Sequence, residues 1–368
     1  MLRTAAAVVL TLALAVVLVG PGSANQRSTP ITVRSAHSQA EVGRSDAAPW
    51  TEERFRSAQP APQATLSVTR QIASPTSETL GTPTVVAASR PGATSRTGAA
   101  TAAPEPEQVT VLRWYDYPAP FTRYKVKRRD VTKWPLETVG VLFFSQGGVD
   151  YRCSAASVAR FAVWTAGHCV HDGSGRLGPS HWSKDVVFVP AYDGRKPCPG
   201  SGCPFGIWKG DHAWTLWAWA EGGDSQFDMG GVVLKRRSGS SLSETVGALG
   251  FAWNHPYVQH WNLFGYPAAQ PFNGKLMQTC QASTAGTFGD FFPMIAVGCD
   301  MTEGSSGGPF ILDFGKGYYI NGNVSIYIEG QRKETLTPYF GNCAGALFEA
   351  LRQSTPGSPA DDFECTEP

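Results

Sequence analysis

Met301-Thr302-Glu303-Gly304-Ser305-Ser306-Gly307-Gly308-Pro309 is the stretch that decides how this chain reads, together with Trp164-Thr165-Ala166-Gly167-His168-Cys169. His168 stands 138 residues before Ser306. A serine set among glycines can hold its hydroxyl exposed on a tight turn, with backbone N–H groups beside it free to bind an oxyanion. A histidine elsewhere in the chain can supply the base that so weak a nucleophile needs.

The two segments carry T-A-G-H-C and G-x-S-G-G-P without a gap. By these motifs the chain resembles the trypsin/chymotrypsin-like serine endopeptidases, in particular the exported bacterial members of the glutamyl endopeptidase branch. The likeness runs roughly from residue 135 to 350. It implies an all-β fold of two antiparallel barrels with the site in the cleft between them. Histidine and aspartate are then expected on the first barrel (about 136–240) and serine on the second (about 241–350).

Ser306 is the candidate nucleophile, and His168 the base that takes its proton and later delivers it to the leaving amine, because an imidazole titrates close to neutrality. In the family an aspartate fixes the imidazole tautomer and stabilises the imidazolium. Asp228, in Phe227-Asp228-Met229-Gly230-Gly231-Val232-Val233-Leu234, fits the family's placement of that aspartate just before an apolar strand. Gly230 and Gly231 depart from the usual aliphatic start of that strand, and Asp224 and Asp211 are the alternatives. The resemblance gives the oxyanion to the backbone N–H groups of Gly304 and Ser306. The same glycines also match the G-x-S-x-G elbow of α/β-hydrolases, which order their triad serine, acid, histidine. The last histidine here is His260, so that order is excluded.

Three residues are expected at the substrate. Asp300 lies six before Ser306, where trypsin carries the aspartate that binds basic side chains, although many bacterial relatives keep an aspartate there as a turn residue. Ser325, nineteen after Ser306, resembles the strand that pairs with substrate backbone. Tyr327 replaces a pocket glycine, where a phenol narrows the pocket toward small side chains. The histidine usual in the glutamyl branch is missing near here. Ser305 stands where animal zymogens carry the aspartate that pairs with a new N-terminus, so removal of the segment before residue 130 is expected to act by unblocking or by assisting folding.

The chain has 368 residues and a formal charge of +1, so bulk electrostatics names no partner. The run Lys125-Val126-Lys127-Arg128-Arg129 is too short to argue for nucleic acid and reads as a processing site or a solvated turn. Arg3, the apolar run Ala5 to Val19 and the small residues Gly22 and Ala24 read as a signal peptide over 1–24, the run being short for a bilayer span. From 25 to 129 the composition is poor in apolar residues, with Trp50 and Phe55 the only aromatics before Val109. Such a stretch is expected to be a largely disordered propeptide or linker. The protease domain then takes 130–368.

All eight cysteines lie between Cys153 and Cys365, which fits export to an oxidising compartment. Sequence allows many pairings. Nearest neighbours give Cys153–Cys169, Cys198–Cys203, Cys280–Cys299 and Cys343–Cys365, and the resemblance supports the first, since related peptidases tie the cysteine after the histidine to one about sixteen residues upstream. A zinc site of His168, Cys169 and His171 is disfavoured by its spacing. Short β-rich runs are read at 139–144, 162–165, 186–189, 214–219, 231–234, 260–266, 294–297, 310–312 and 318–328, with a helix from Ala344 to Arg352. The tryptophans crowded between Trp182 and Trp261 are read as core.

Together these features predict a secreted, monomeric serine endopeptidase acting on proteins or peptides through an acyl-enzyme. No metal or organic cofactor, nucleic acid or stable membrane association is expected. A secreted binding protein that keeps the protease fold without turnover is the alternative.

Overall fold

Runs of β-branched and aromatic residues between glycine turns form strands here because a pleated half-buried surface suits them. The computed structural model describes residues 30–38, 49–63, 65–66, 81–93, 100–102, 119–288 and 294–367. The expected signal peptide lies outside the described residues. Before the motifs come β1 (Ile31–His37), β2 (Gln59–Pro60), β3 (Thr65–Leu66), β4 (Thr84–Val86), β5 (Thr101–Ala102) and β6 (Thr122–Lys125). There follow β7 (Val139–Gln146), β8 (Val149–Ser157), β9 (Ala162–Thr165), β10 (Lys184–Pro190), β11 (Trp208–Leu216) and β12 (Gly230–Leu234). Next are β13 (Gly250–Trp253), β14 (His260–Gly265), β15 (Gln278–Phe288), β16 (Met294–Gly298) and β17 (Pro309–Leu312). The last are β18 (Tyr319–Asn323), β19 (Ile326–Ile328), β20 (Gln331–Thr337) and β21 (Glu364–Glu367). The helices are α1 (Glu52–Ser57), α2 (Arg128–Val131), α3 (Trp217–Gly222), α4 (Leu242–Val246) and α5 (Asn342–Gln353).

In the first sheet β10, β7, β8, β9, β12 and β11 follow one another, and β11 returns to β10, closing an antiparallel six-stranded barrel. Outside the barrel β1 pairs with β11, and β21 pairs with β1. The second sheet runs β3-β19-β20-β16-β15-β14-β17-β18-β13-β4-β5, with β6 on β15. Its pairings are antiparallel except β13 with β18 and β19 with β3.

The barrels share one core. Trp164 of the first lies 4.7 Å from Phe251 of the second, and Phe251 stacks on Phe348 of α5 at 4.3 Å. Leu351 of α5 sits so close to Gly231 that a Cβ there would overlap it, which explains the glycine where an aliphatic residue is usual. Of the tryptophans from Trp182 to Trp261, Trp208, Trp214 and Trp261 are fully buried and Trp182 and Trp219 nearly so, whereas Trp217 and Trp253 are half-buried at the edge of the core. The nearest-neighbour disulfides all form, with Cα–Cα distances of 6.3, 5.4, 5.8 and 5.1 Å in chain order.

Several expectations need correction. The run 214–219 is not one strand: β11 ends at Leu216 and α3 follows, closed by Gly223 in the left-handed region. Short alternating runs such as Trp217-Ala218-Trp219-Ala220 do not separate the two periods. The described parts of segment 25–129 also pack against the barrels more than its average composition suggests. Trp50 and Phe55 are 7% and 1% exposed, and both rings pack against Phe143, at 5.5 and 4.8 Å. Arg54 joins Asp150 and Asp185, each at 2.8 Å, so a few residues dock what the average hides. The sheet further draws the domain boundary upstream of 130, because β6 pairs with β15 and buried Ala119 donates its N–H to Glu334.

Candidate active site

His168 lies in a one-turn 3-10 helix, Gly167–Cys169, directly after β9, and the Cys153–Cys169 disulfide pins that turn to β8. Closing such a loop contributes about 3 kcal/mol. Asp228 ends a second 3-10 turn just before β12, which is hydrogen-bonded to β9. Adjacent strands thus bring together two residues 60 positions apart. Asp228 Oδ1 accepts from the His168 backbone N–H at 2.7 Å and Oδ2 from the ring Nδ1 at 2.8 Å. Neither alternative aspartate does this: Asp224 caps the 225–227 turn and Asp211 pairs with His212.

Asp228 is fully buried and further bound by Ser325, whose hydroxyl donates to Oδ2 at 2.5 Å. Ser325 is expected at the substrate through its strand's backbone, and its side chain is bound to the aspartate. Asn323 adds a bond to the Asp228 carbonyl at 3.3 Å and accepts from Trp164 Nε1 at 3.0 Å.

Ser306 comes from the other barrel. Ser154 of β8 donates its N–H to the Ser306 carbonyl at 2.7 Å, and Gly307 donates to the Val324 carbonyl at 2.7 Å. Gly307 has φ +76°, and a Cβ on it would collide with Thr165 and Ala166, the residues leading into the His168 turn. That close approach sets the serine turn against the histidine turn. Ser154 Oγ donates to the Gly304 carbonyl at 2.9 Å and accepts from the Tyr266 N–H at 2.8 Å. The N–H groups of Gly304 and Ser306 have no acceptor among the described residues. His168 Nε2 and Ser306 Oγ are likewise buried without partners. Ser154 and Asn323 belong to no motif, and only the fold gives them their place here.

The remaining expected substrate residues are occupied. Arg123 of β6 pairs its Nε with Asp300 Oδ1 at 2.8 Å, so the carboxylate meets a cation of the same chain. Tyr327 is buried and gives its hydroxyl to the Met301 carbonyl at 2.5 Å, and burial pushes its phenol up. The bond ties β19 to the loop that precedes Ser306.

Two solved structures are similar in sequence and fold. The protease Anisep from Arthrobacter nicotinovorans is 30% identical, with a TM-score of 0.53 over 61% of this chain and 99% of that one. The chain belongs to the trypsin/chymotrypsin-like family of proteases. A thermostable serine protease, AL20, from an extremophilic microorganism is a similar member: 32% identical, TM-score 0.53, over 60% of this chain and 98% of that one. No protein-family model matches the chain. An extracellular metalloprotease of Bacillus subtilis is 26% identical over 152 residues, 40% of this chain, and the chain spans 44% of that relative's length. In this family member, the one cluster of metal-ligating residue types among the described residues is Cys153, His168 and Cys169. It does not fit a metal, because the two sulfurs are joined to each other and His168 Nδ1 is held by Asp228.

Proposed function

We propose that the protein is an exported serine endopeptidase that hydrolyses peptide bonds through an acyl-enzyme. The observation that carries this reading is the double hold of Asp228 on His168, which commits Nδ1 and leaves Nε2 as the basic nitrogen. Nε2 and Ser306 Oγ make no hydrogen bond to each other here, and such bonds are often long before substrate arrives. In the first step Nε2 takes the hydroxyl proton as Oγ bonds to the scissile carbonyl carbon, whose π electrons move onto oxygen. The N–H groups of Gly304 and Ser306, which have no acceptor among the described residues, suit that oxyanion, and one such donor is worth roughly 3 kcal/mol. Collapse breaks the C–N bond, and the imidazolium gives its proton to the leaving amine. Water then repeats the sequence on the ester, releasing the acid and restoring Ser306.

Four disulfides fit export to an oxidising compartment. Replacing Ser306 with alanine should lower turnover of a peptide substrate by about six orders of magnitude. Undiminished hydrolysis by that variant would refute the reading, as would loss of activity to a metal chelator.

A further inference from the structure

The residues that flank Ser306 are also bridged by a second stretch of chain. On the side of the first barrel, β2 pairs with β8 through Gln59–Tyr151 and Pro60–Arg152, and the Ala61 N–H donates to the Arg152 carbonyl at 3.0 Å. On the side of the second barrel, Gln63 Nε2 donates to the Ser325 carbonyl at 2.8 Å, and β3 pairs with β19 through Thr65–Tyr327 and Leu66–Ile328. Ser306 and Gly307 join the same two edges through Ser154 and Val324. Two residues of extended chain reach only about 7 Å, so the stretch from Ala61 to Gln63 has little freedom to go around the serine turn.

Burial agrees with that path. Ser306 is 0% exposed and His168 8%, and their reactive atoms are shut off from solvent without any partner. An active nucleophile needs an open approach. Ala61 is 2% exposed, as a residue pressed into a cleft would be.

The hold on the first barrel is strong. Arg152 is 4% exposed and forms no ion pair among the described residues; its guanidinium donates to the carbonyls of Phe55, Arg56 and Ala58. A buried cation of this kind depends on those carbonyls, because an unsatisfied one is costly. Upstream, Arg54 and the Trp50–Phe55 pair anchor the same stretch. The chain's own segment is therefore docked at both ends.

We propose that residues 58–63 and 65–66 form an intramolecular inhibitor of the Ser306 site, fixed at Arg152 on one barrel and at Ser325–Ile328 on the other. This rests on the reading of Ser306 as the nucleophile. The segment escapes cleavage because its described residues offer no carbonyl to the N–H groups of Gly304 and Ser306, which have no acceptor among the described residues. Its pairing with β19 is parallel, which offsets its carbonyls from those of an antiparallel strand on that edge. Pro60 and Pro62 stiffen it in that pose.

The test labels Ser306 in the intact chain with a fluorophosphonate and compares the wild type, Gln63→Ala, Gln63→Ala/Thr65→Pro and Ser306→Ala. Gln63→Ala removes one contact without touching the backbone, so it serves if the double variant folds poorly. Both loosened variants should label about tenfold faster or more than the wild type. A synthetic peptide of residues 49–66 should slow them again. Equal rates in the wild type and both loosened variants, with no labelling of Ser306→Ala, overturn the inhibitor and leave the protease reading standing. Labelling of Ser306→Ala, or none in any variant, overturns both.

Discussion

The Ser325 hydroxyl reaches across 97 residues of sequence to Asp228 Oδ2, at 2.5 Å. The carboxylate thereby has three donors, two from His168 and one from the second barrel. This bond ties the orienting acid of one barrel to the strand that borders Ser306 on the other, so the barrels cannot shift relative to each other without disturbing it.

Ser325→Ala removes one donor from a buried charged group, a loss of roughly 1.5–3 kcal/mol. If that is expressed in the transition state, kcat/KM should fall by about ten- to a hundredfold, with kcat carrying most of the change. Steady-state kinetics on a peptide substrate checks it.

Asp228→Asn keeps the shape but offers an amide where a carboxylate oxygen accepted the ring N–H. The imidazole is then free to take the other tautomer, with its proton on Nε2. The expected loss in kcat is about 10⁴. A fluorophosphonate labelling rate close to the parent's would contradict the role.

Tyr327→Phe keeps the ring and deletes the bond to the buried Met301 carbonyl. An unsatisfied buried acceptor costs about 1–3 kcal/mol, which in a domain of this size lowers Tm by roughly 2–10 °C. Thermal unfolding followed by circular dichroism measures it.

Glu137 is 4% exposed with Oε2 lacking a partner among the described residues, and burial pushes its carboxyl up to about 7. The folded chain holds this proton more tightly than the unfolded chain. Its contribution to stability is therefore complete below about 4.5 and is lost as the pH rises through about 7. Tm should fall over that interval, and Glu137→Gln should flatten part of the fall. A parallel pair of curves for parent and variant would rule this out.

The candidate nucleophile and base are legible in the sequence because a glycine-flanked serine and the turn before a cysteine are local requirements. Asp228 was legible from its position before an apolar strand. The partner of Ser325 was not: alternation along a strand tells which residues share a face, but not what the other barrel presents to that face. Ser154 and Asn323 escaped for the same reason, since their contacts lie 150 and 95 residues away. β8, β15 and β20 do not stand out in the sequence because polar residues interrupt them, though long stretches are buried by neighbouring elements. Docking of Trp50, Arg54 and Phe55 is hidden by averaging, because they are three residues in about a hundred between 25 and 129.

Strand β1 is clasped between Trp214–Leu216 on one side and Glu364–Glu367 on the other. The outer layer of the first sheet therefore joins residues that precede β2 with residues that follow α5. A nick anywhere between residues 66 and 119 would sever the backbone yet leave both ladders zipped, and the two pieces would travel as one particle. Severing and release are then separate events, each with its own rate.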